Sequence, residues 1–226
     1  MMSRVRIAIV IVLTLLPWPA VWFGMYELSS LIWTFFLYHG ICLAPAAYYG
    51  RHLWMSTWRM PSRKQWFVTF AAMLLTSAVA IMAYKLSGEI IVSKKEVLQV
   101  LTARGFHATR YYLVPLAFYF VFVNATLEEL FWRGTILNML DDVRNKPARR
   151  YGYVWTGIAF AAWHWLVLRA LIRPGWAEIA VFGVLLMGFF SSWLYRKTDS
   201  IIVAILWHAF VFDFAIIAMF AVLVLT

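Results

Sequence analysis

Residues 111–140 read YYLVPLAFYFVFVNATLEELFWRGTILNML. About 20 predominantly apolar residues are enough to cross a bilayer as a helix, and this run exceeds that length. It also carries Glu128, Glu129 and Arg133 among its apolar residues. An open strand cannot satisfy its backbone polar groups in lipid, so the run is expected to be a helix. Charged side chains at membrane depth cost roughly 2.5–3.5 kcal/mol each on insertion scales, which makes them functional candidates by default.

Outward from this stretch, six more runs are long and apolar enough to span: about 5–23, 31–49, 66–84, 154–171, 176–195 and 201–225. The expected fold is therefore all-α, a polytopic integral membrane helical bundle of about seven transmembrane helices, or eight if one span is missed. We read residues 1–226 as a single transmembrane domain with its motif-bearing core at about 111–225. Composition agrees. Of the 226 residues, 64% are hydrophobic and only 13% charged, with a mean hydropathy of +0.78. A disordered chain needs the opposite balance, and a soluble domain carries about twice that share of charge.

The net charge of +10 does not point to nucleic acid, because the basic residues sit in short clusters between apolar runs, as juxtamembrane Lys and Arg do. The first run lacks a small-x-small cleavage site and reads as a retained span rather than a signal peptide. With the N-terminus inside, the inner segments hold 12 Lys and Arg and the outer ones 7. This bias predicts a cytoplasmic N-terminus and, with seven spans, an outer C-terminus. Residues 51–65 and 85–110 mix apolar and basic side chains, and read either as stretches lying along the membrane surface or as short solvated connections. The run from Asp141 to Arg150 reads as a solvated loop. Cys42 is the single cysteine, so no intramolecular disulfide forms.

The intramembrane ionisable residues are Glu128, Glu129, Arg133, His164, His208 and Asp213, with His39 alone on the second span. Adjacent carboxylates point about 100° apart around a helix, so Glu128 and Glu129 do different jobs. Glu129 and Arg133 are spaced i,i+4 and can pair on one face, which leaves Glu128 less compensated and suited to general acid–base work. Asn124 lies one turn before Glu128. Phe160 and His164 share a face of the fifth span, and His208 lies in the seventh. If these spans meet, two imidazoles join a Glu–Glu–Arg cluster. Two chemistries then fit: water activated by Glu128 with a His at the oxyanion, or a divalent metal such as zinc held by His164, His208 and a Glu. No His-Glu-x-x-His motif supports the second. A lone buried His or a Glu–Arg pair is commonly structural, and His39, His52 and His107 are read that way. Gly188 and Ser192, at i,i+4, read as a close-packing pair.

The ordered set Glu-Glu-x-x-x-Arg (Glu128, Glu129, Arg133), Phe-x-x-x-His (Phe160, His164) and a late intramembrane His (His208) resembles the CAAX-processing and bacteriocin-processing (CPBP, or Abi) family of intramembrane proteases. The segment 194–200 is similar to the family's approach to its third motif, and the resemblance covers about 124–213. It implies an all-helical membrane endopeptidase whose partners are the lipid bilayer and a protein or peptide substrate, with no cofactor required, although members were long taken for metalloproteases. It further implies that Glu128 and His164 activate the water, that Glu129 and Arg133 support the site, and that His208 serves the oxyanion with an Asn four residues on. Here that position is Phe212, which has no side-chain donor. Asp213 follows, but sits about 140° from His208 on an α-helix. Three outcomes are open: Asp213 donates after a local shift, Asn124 substitutes from the fourth span, or the chain is slow or non-proteolytic. Asp199 also stands where the family often has Gly.

The function expected is an intramembrane endopeptidase acting on a membrane-associated or exported protein. The alternatives are a non-proteolytic scaffold or immunity protein of the same fold, and a small proton-coupled transporter. The absence of inverted repeats counts against the last.

Overall fold

A computed structural model describes residues 4–141 and 146–225, with the side chains of 146–150 left aside. The described residues form helices and connections only, without strands. Seven helical stretches are long and apolar enough to cross a membrane: Arg4–Glu27, Leu31–Tyr49, Arg63–Ile91, Arg110–Leu140, Tyr151–Leu171, Trp176–Thr198 and Ile201–Leu225. We number them as spans one to seven. The chain is thus a multi-pass membrane protein, as its hydropathy predicts.

The fourth span is the centre of the bundle. Every residue from Leu130 to Leu137 is buried, and this stretch touches the first, second, fifth, sixth and seventh spans. Around it the outer faces remain apolar: Ile32, Leu75, Leu86 and Val114 are all exposed. Such a continuous apolar exterior is unstable in water and stable in lipid.

The fifth and sixth spans form the most extensive pair. They approach at glycines: a Cβ built on Gly188 would lie 3.1 Å from the Gly157 Cα. Ser192 Oγ donates to the Gly188 carbonyl at 2.9 Å. The close-packing reading of Gly188 and Ser192 therefore holds. The third span lies against the seventh, where Thr76 Oγ1 donates to the Val211 carbonyl at 3.0 Å.

The connections tie the spans at both ends. The third span runs on unbroken to Ile91 and is followed by a separate helix, Lys94–Ala103, capped by Ser93. Leu31 N–H donates to the Arg104 carbonyl at 3.1 Å, and Arg173 N–H to the Ile91 carbonyl at 3.2 Å. At the opposite end Asn138 Nδ2 bonds the Leu53 carbonyl and Tyr195 Oη at 3.2 and 2.8 Å. There Arg196 also pairs with Asp141. The loop expected over 141–150 is shorter than its composition suggests. Helix resumes at Lys146, and residues 142–145 lie outside the described residues.

Five π-helical segments interrupt the spans among the described residues: Phe23–Glu27, Phe36–Leu43, Tyr119–Asn124, Leu130–Leu137 and Trp207–Asp213. Such segments are ordinarily well under 1% of residues and gather at functional sites. In a π turn the bonding is i→i+5, so residues five apart come over one another. Four of the five segments lie beside the charged cluster.

Candidate active site

Glu129 and Arg133 are the most deeply placed charges, with no solvent exposure at all. Their i,i+4 spacing closes as expected: Arg133 Nη1 donates to Glu129 Oε1 at 2.8 Å. Arg133 Nη2 donates to the Gly188 carbonyl at 3.0 Å, and its guanidinium lies 4.7 Å from the Phe160 ring centre. Gly188 serves here because its missing side chain lets the sixth span come close enough to offer a carbonyl.

His208 brings the seventh span to the same carboxylate. Its Nδ1 lies 2.8 Å from Glu129 Oε1, and a carboxylate can only accept if ionised, so this nitrogen is the donor. Its Nε2 faces Glu128 Oε2 at 3.4 Å and Asp213 Oδ1 at 3.5 Å. One imidazole thus sits among three carboxylates and beside one guanidinium.

Glu128 is buried and points apart from Glu129, as adjacent helical residues must. Tyr38 from the second span donates to its Oε1 at 2.8 Å. Its Oε2 is buried without a hydrogen-bond partner among the described residues. An orphaned carboxylate oxygen at this depth is expensive for stability, and it is the group a base would present to water.

The place of Asp213 differs from the α-helical expectation. Counting 100° per residue puts it far from His208, yet the two meet. The reason is the π-helical stretch Trp207–Asp213, whose wider turn brings residues five apart into line. Phe212 instead turns toward Phe190, with ring centres 6.4 Å apart. The position filled by i+4 in an α-helix is filled by i+5 here. Asp213 nevertheless stands as an acceptor: Asn124 Nδ2 donates to its Oδ2 at 3.0 Å. That bond also occupies the Asn124 amide.

Asn124 continues the chain of bonds to His39, whose Nε2 lies 2.9 Å from Asn124 Oδ1. Since Oδ1 only accepts, Nε2 carries the hydrogen, and Tyr119 Oη then donates to Nδ1 at 2.7 Å. His39, set aside in the sequence as structural, is therefore hydrogen-bonded directly to a residue of the cluster.

His164 is placed less directly. Its Nδ1 donates to the Phe160 carbonyl at 2.7 Å, one turn back on its own helix, which leaves Nε2 as the bare nitrogen. Its ring lies 3.8 Å from that of Trp163 and 4.6 Å from Phe160, and Phe160 is in turn 6.1 Å from the His208 ring. Phe160 thus stands between the two histidines. The cluster proper is Glu128, Glu129, Arg133, His208, Asp213 and Asn124, with His164 at its edge.

The residues present do not fit a metal centre. Among the described residues no group of three or more His, Cys, Asp or Glu could hold an ion. Both His208 nitrogens face carboxylates, and Glu129 Oε1 already accepts from two donors.

Tyr38 and Tyr119 went unnoticed in the sequence. A polar pair, Tyr38–His39, in mid-span of an apolar helix is the signal that points to them, since an intramembrane His warrants a partner.

Comparison with curated proteins and with solved structures found no match. The family model for the type II CAAX prenyl endopeptidase Rce1-like proteins matches residues 110–212. That stretch holds the Glu–Glu–Arg motif, the Phe–His motif and His208, and over this segment the chain is similar to the CAAX endopeptidase family that its motifs resemble.

Proposed function

We propose that this protein is an intramembrane endopeptidase that hydrolyses a peptide bond of a membrane-associated protein or peptide, with Glu128 as the base that activates water. The observation that carries this reading is the orphaned Oε2 of Glu128, buried beside His208 at 3.4 Å within a fully buried charge cluster. Glu129 Oε2 is also without a hydrogen-bond partner among the described residues, but that carboxylate is committed through Oε1 to both Arg133 and His208, whereas Glu128 accepts only from Tyr38 and keeps its other oxygen open beside the His208 ring.

In the reaction, Glu128 Oε2 takes a proton from water as the water oxygen bonds to the substrate carbonyl carbon. The carbonyl π pair moves to its oxygen. When that pair returns, the C–N bond breaks and the nitrogen leaves with the proton held by Glu128. His208, as an imidazolium whose Nδ1 hydrogen is given to Glu129 and whose Nε2 also carries a hydrogen, is the donor assigned to the developing oxyanion, since preformed donors there commonly contribute about 100-fold or more. His164 assists from the edge through its bare Nε2. Glu129 and Arg133 hold the His208 ring in place. The orientation with the N-terminus in the cytoplasm, inferred from the 12-to-7 distribution of basic residues, belongs to the same proposal.

A second reading has one observation in its favour. At the position where the family places an amide donor the chain offers Asp213, an acceptor from Asn124. A non-proteolytic scaffold tolerates that exchange without loss.

The experiment compares wild type with Glu128→Gln in the native host, reading the termini of membrane and exported proteins by mass spectrometry. A defined set of processed termini lost in the variant identifies the substrates. Unchanged termini in a variant that still complements a deletion would replace the protease with the scaffold.

A further inference from the structure

Tyr38 lies in the second span, outside the matched segment 110–212. Its ring is buried, 4.3 Å from Trp163 and 4.6 Å from His39. Nothing in this packing requires a hydroxyl. Yet the hydroxyl is there, and it donates to Glu128 Oε1 at 2.8 Å. The two oxygens of Glu128 are thereby made different. Oε1 is held, and Oε2 is left without a partner among the described residues.

We propose that Tyr38 is a positioning residue for hydrolysis: by fixing Oε1 it selects Oε2 of Glu128 as the oxygen that meets the water. This rests on the protease reading above. A glutamate has three side-chain torsions, and the last is broad and roughly two-fold. Without an anchor the carboxylate turns, and either oxygen can face Arg133, His208 or the substrate. Misorientation of a reacting group by about 1 Å can cost on the order of 100-fold in rate. A single hydrogen bond to Oε1 removes that freedom while leaving the lone pairs of Oε2 available. Tyr38 keeps its own proton throughout, and the proton that moves travels from water through Oε2 to the leaving nitrogen.

The local sequence explains how one helix reaches two partners. Tyr38 and His39 are consecutive, within the π-helical stretch Phe36–Leu43. Their partners Glu128 and Asn124 are one turn apart on the fourth span. Two neighbouring side chains of the second span thus meet one face of the fourth.

The test uses the full chain in its native host, with the membrane proteome as probe. Wild type against Glu128→Gln defines the set of processed proteins, and pulse labelling gives the processing rate per molecule of enzyme. Tyr38→Phe keeps the ring and removes only the donor. It is expected to process the same set about 10- to 100-fold more slowly per molecule, the size of a hydrogen bond to a charged group, while still inserting and accumulating, with its unfolding midpoint lowered because Oε1 of Glu128 loses its donor. Tyr38→Met, which lacks the donor and the ring, is expected to be at least as slow per molecule, and it serves if the first variant does not accumulate. A purely packing role predicts a Tyr38→Phe rate equal to wild type with loss confined to Tyr38→Met, and that result overturns the proposal. An empty set in the Glu128→Gln comparison removes the protease reading itself, and this role with it.

Discussion

Arg133 and Glu129 allow a stability prediction worked from geometry. Their contact of 2.8 Å, at an effective dielectric constant of about 20, corresponds to roughly 6 kcal/mol of attraction before desolvation is subtracted. Both side chains have zero exposure, so neither can recover water when its partner is removed. Arg133→Met leaves the Glu129 carboxylate with His208 as its sole donor. Glu129→Gln leaves the guanidinium with the Gly188 carbonyl at 3.0 Å and the Phe160 ring. Breaking a buried pair from one side typically costs about 3–5 kcal/mol, whereas removing both charges together is often close to neutral. Each single variant is therefore expected to lose about 3–5 kcal/mol of unfolding free energy, and the double variant less than the larger single loss. The assay is denaturant unfolding in detergent micelles followed by tryptophan fluorescence, for which the chain supplies 13 reporters. Single losses below about 1 kcal/mol, or a double loss equal to their sum, would refute the claim that the pair is a buried mutual compensation.

Gly24→Ala is expected to destabilise by about 1–3 kcal/mol, because the added Cβ would lie 2.5 Å from the Thr34 Cα, backbone that cannot step aside. Gly40→Ala, whose Cβ meets only the Phe36 ring at 3.4 Å, is the control and is expected to be neutral or stabilising; equal losses in both would show that the first and second spans are not in close contact at Gly24. His39→Phe strands Asn124 Oδ1 and Tyr119 Oη. Unfolding of that variant is expected to lose at least about 2 kcal/mol, and a wild-type midpoint would remove His39 from the buried chain. Asp199→Gly relieves a left-handed residue (φ 49°) but loses an exposed ion pair with Arg59 at 2.8 Å. The two effects are similar in size, so stability measured in the same way is expected to stay within about 1 kcal/mol, and a larger drop would mean that the pair clamps the end of the sixth span.

Residues whose roles follow from spacing were legible in the sequence. The seven spans follow from hydropathy, and their observed limits differ from the apolar runs mainly where polar ends continue the helix, as at Arg63 and Ile91. Glu129 and Arg133 pair because i,i+4 is a property of one helix. Asp199 stands where the family often has Gly for a visible reason: it ends the sixth span in the left-handed region, which glycine enters freely and aspartate tolerates. What stayed hidden depends on which helix lies beside which. Tyr38 reaches Glu128 across 90 residues of sequence, and no pattern within the second span encodes that neighbour. His164 shows the converse. Its motif is plain in the sequence, yet its one hydrogen bond turns back to Phe160.

Asp213 joins these strands of argument. The reading that put it on the wrong face assumed α-helical periodicity throughout, and that assumption fails where four polar elements converge. Tyr119 and Asn124 are five apart and both meet His39; His208 and Asp213 are five apart and lie within 3.5 Å. In each case an α-helix would have turned one of the pair away. A π turn leaves backbone bonding less favourable than a regular helix, so its repeated use beside one cluster needs compensation, and the compensation here is the buried network itself: Tyr119 to His39, His39 to Asn124, Asn124 to Asp213, and Asp213 to His208. The π turns and the long-range polar contacts support each other, and neither is readable from spacing alone. The apparent gap at Phe212 is then a shift of one position along the helix. What changes is the chemistry delivered there: a carboxylate held by Asn124 at 3.0 Å in place of an amide, facing the His208 ring at 3.5 Å.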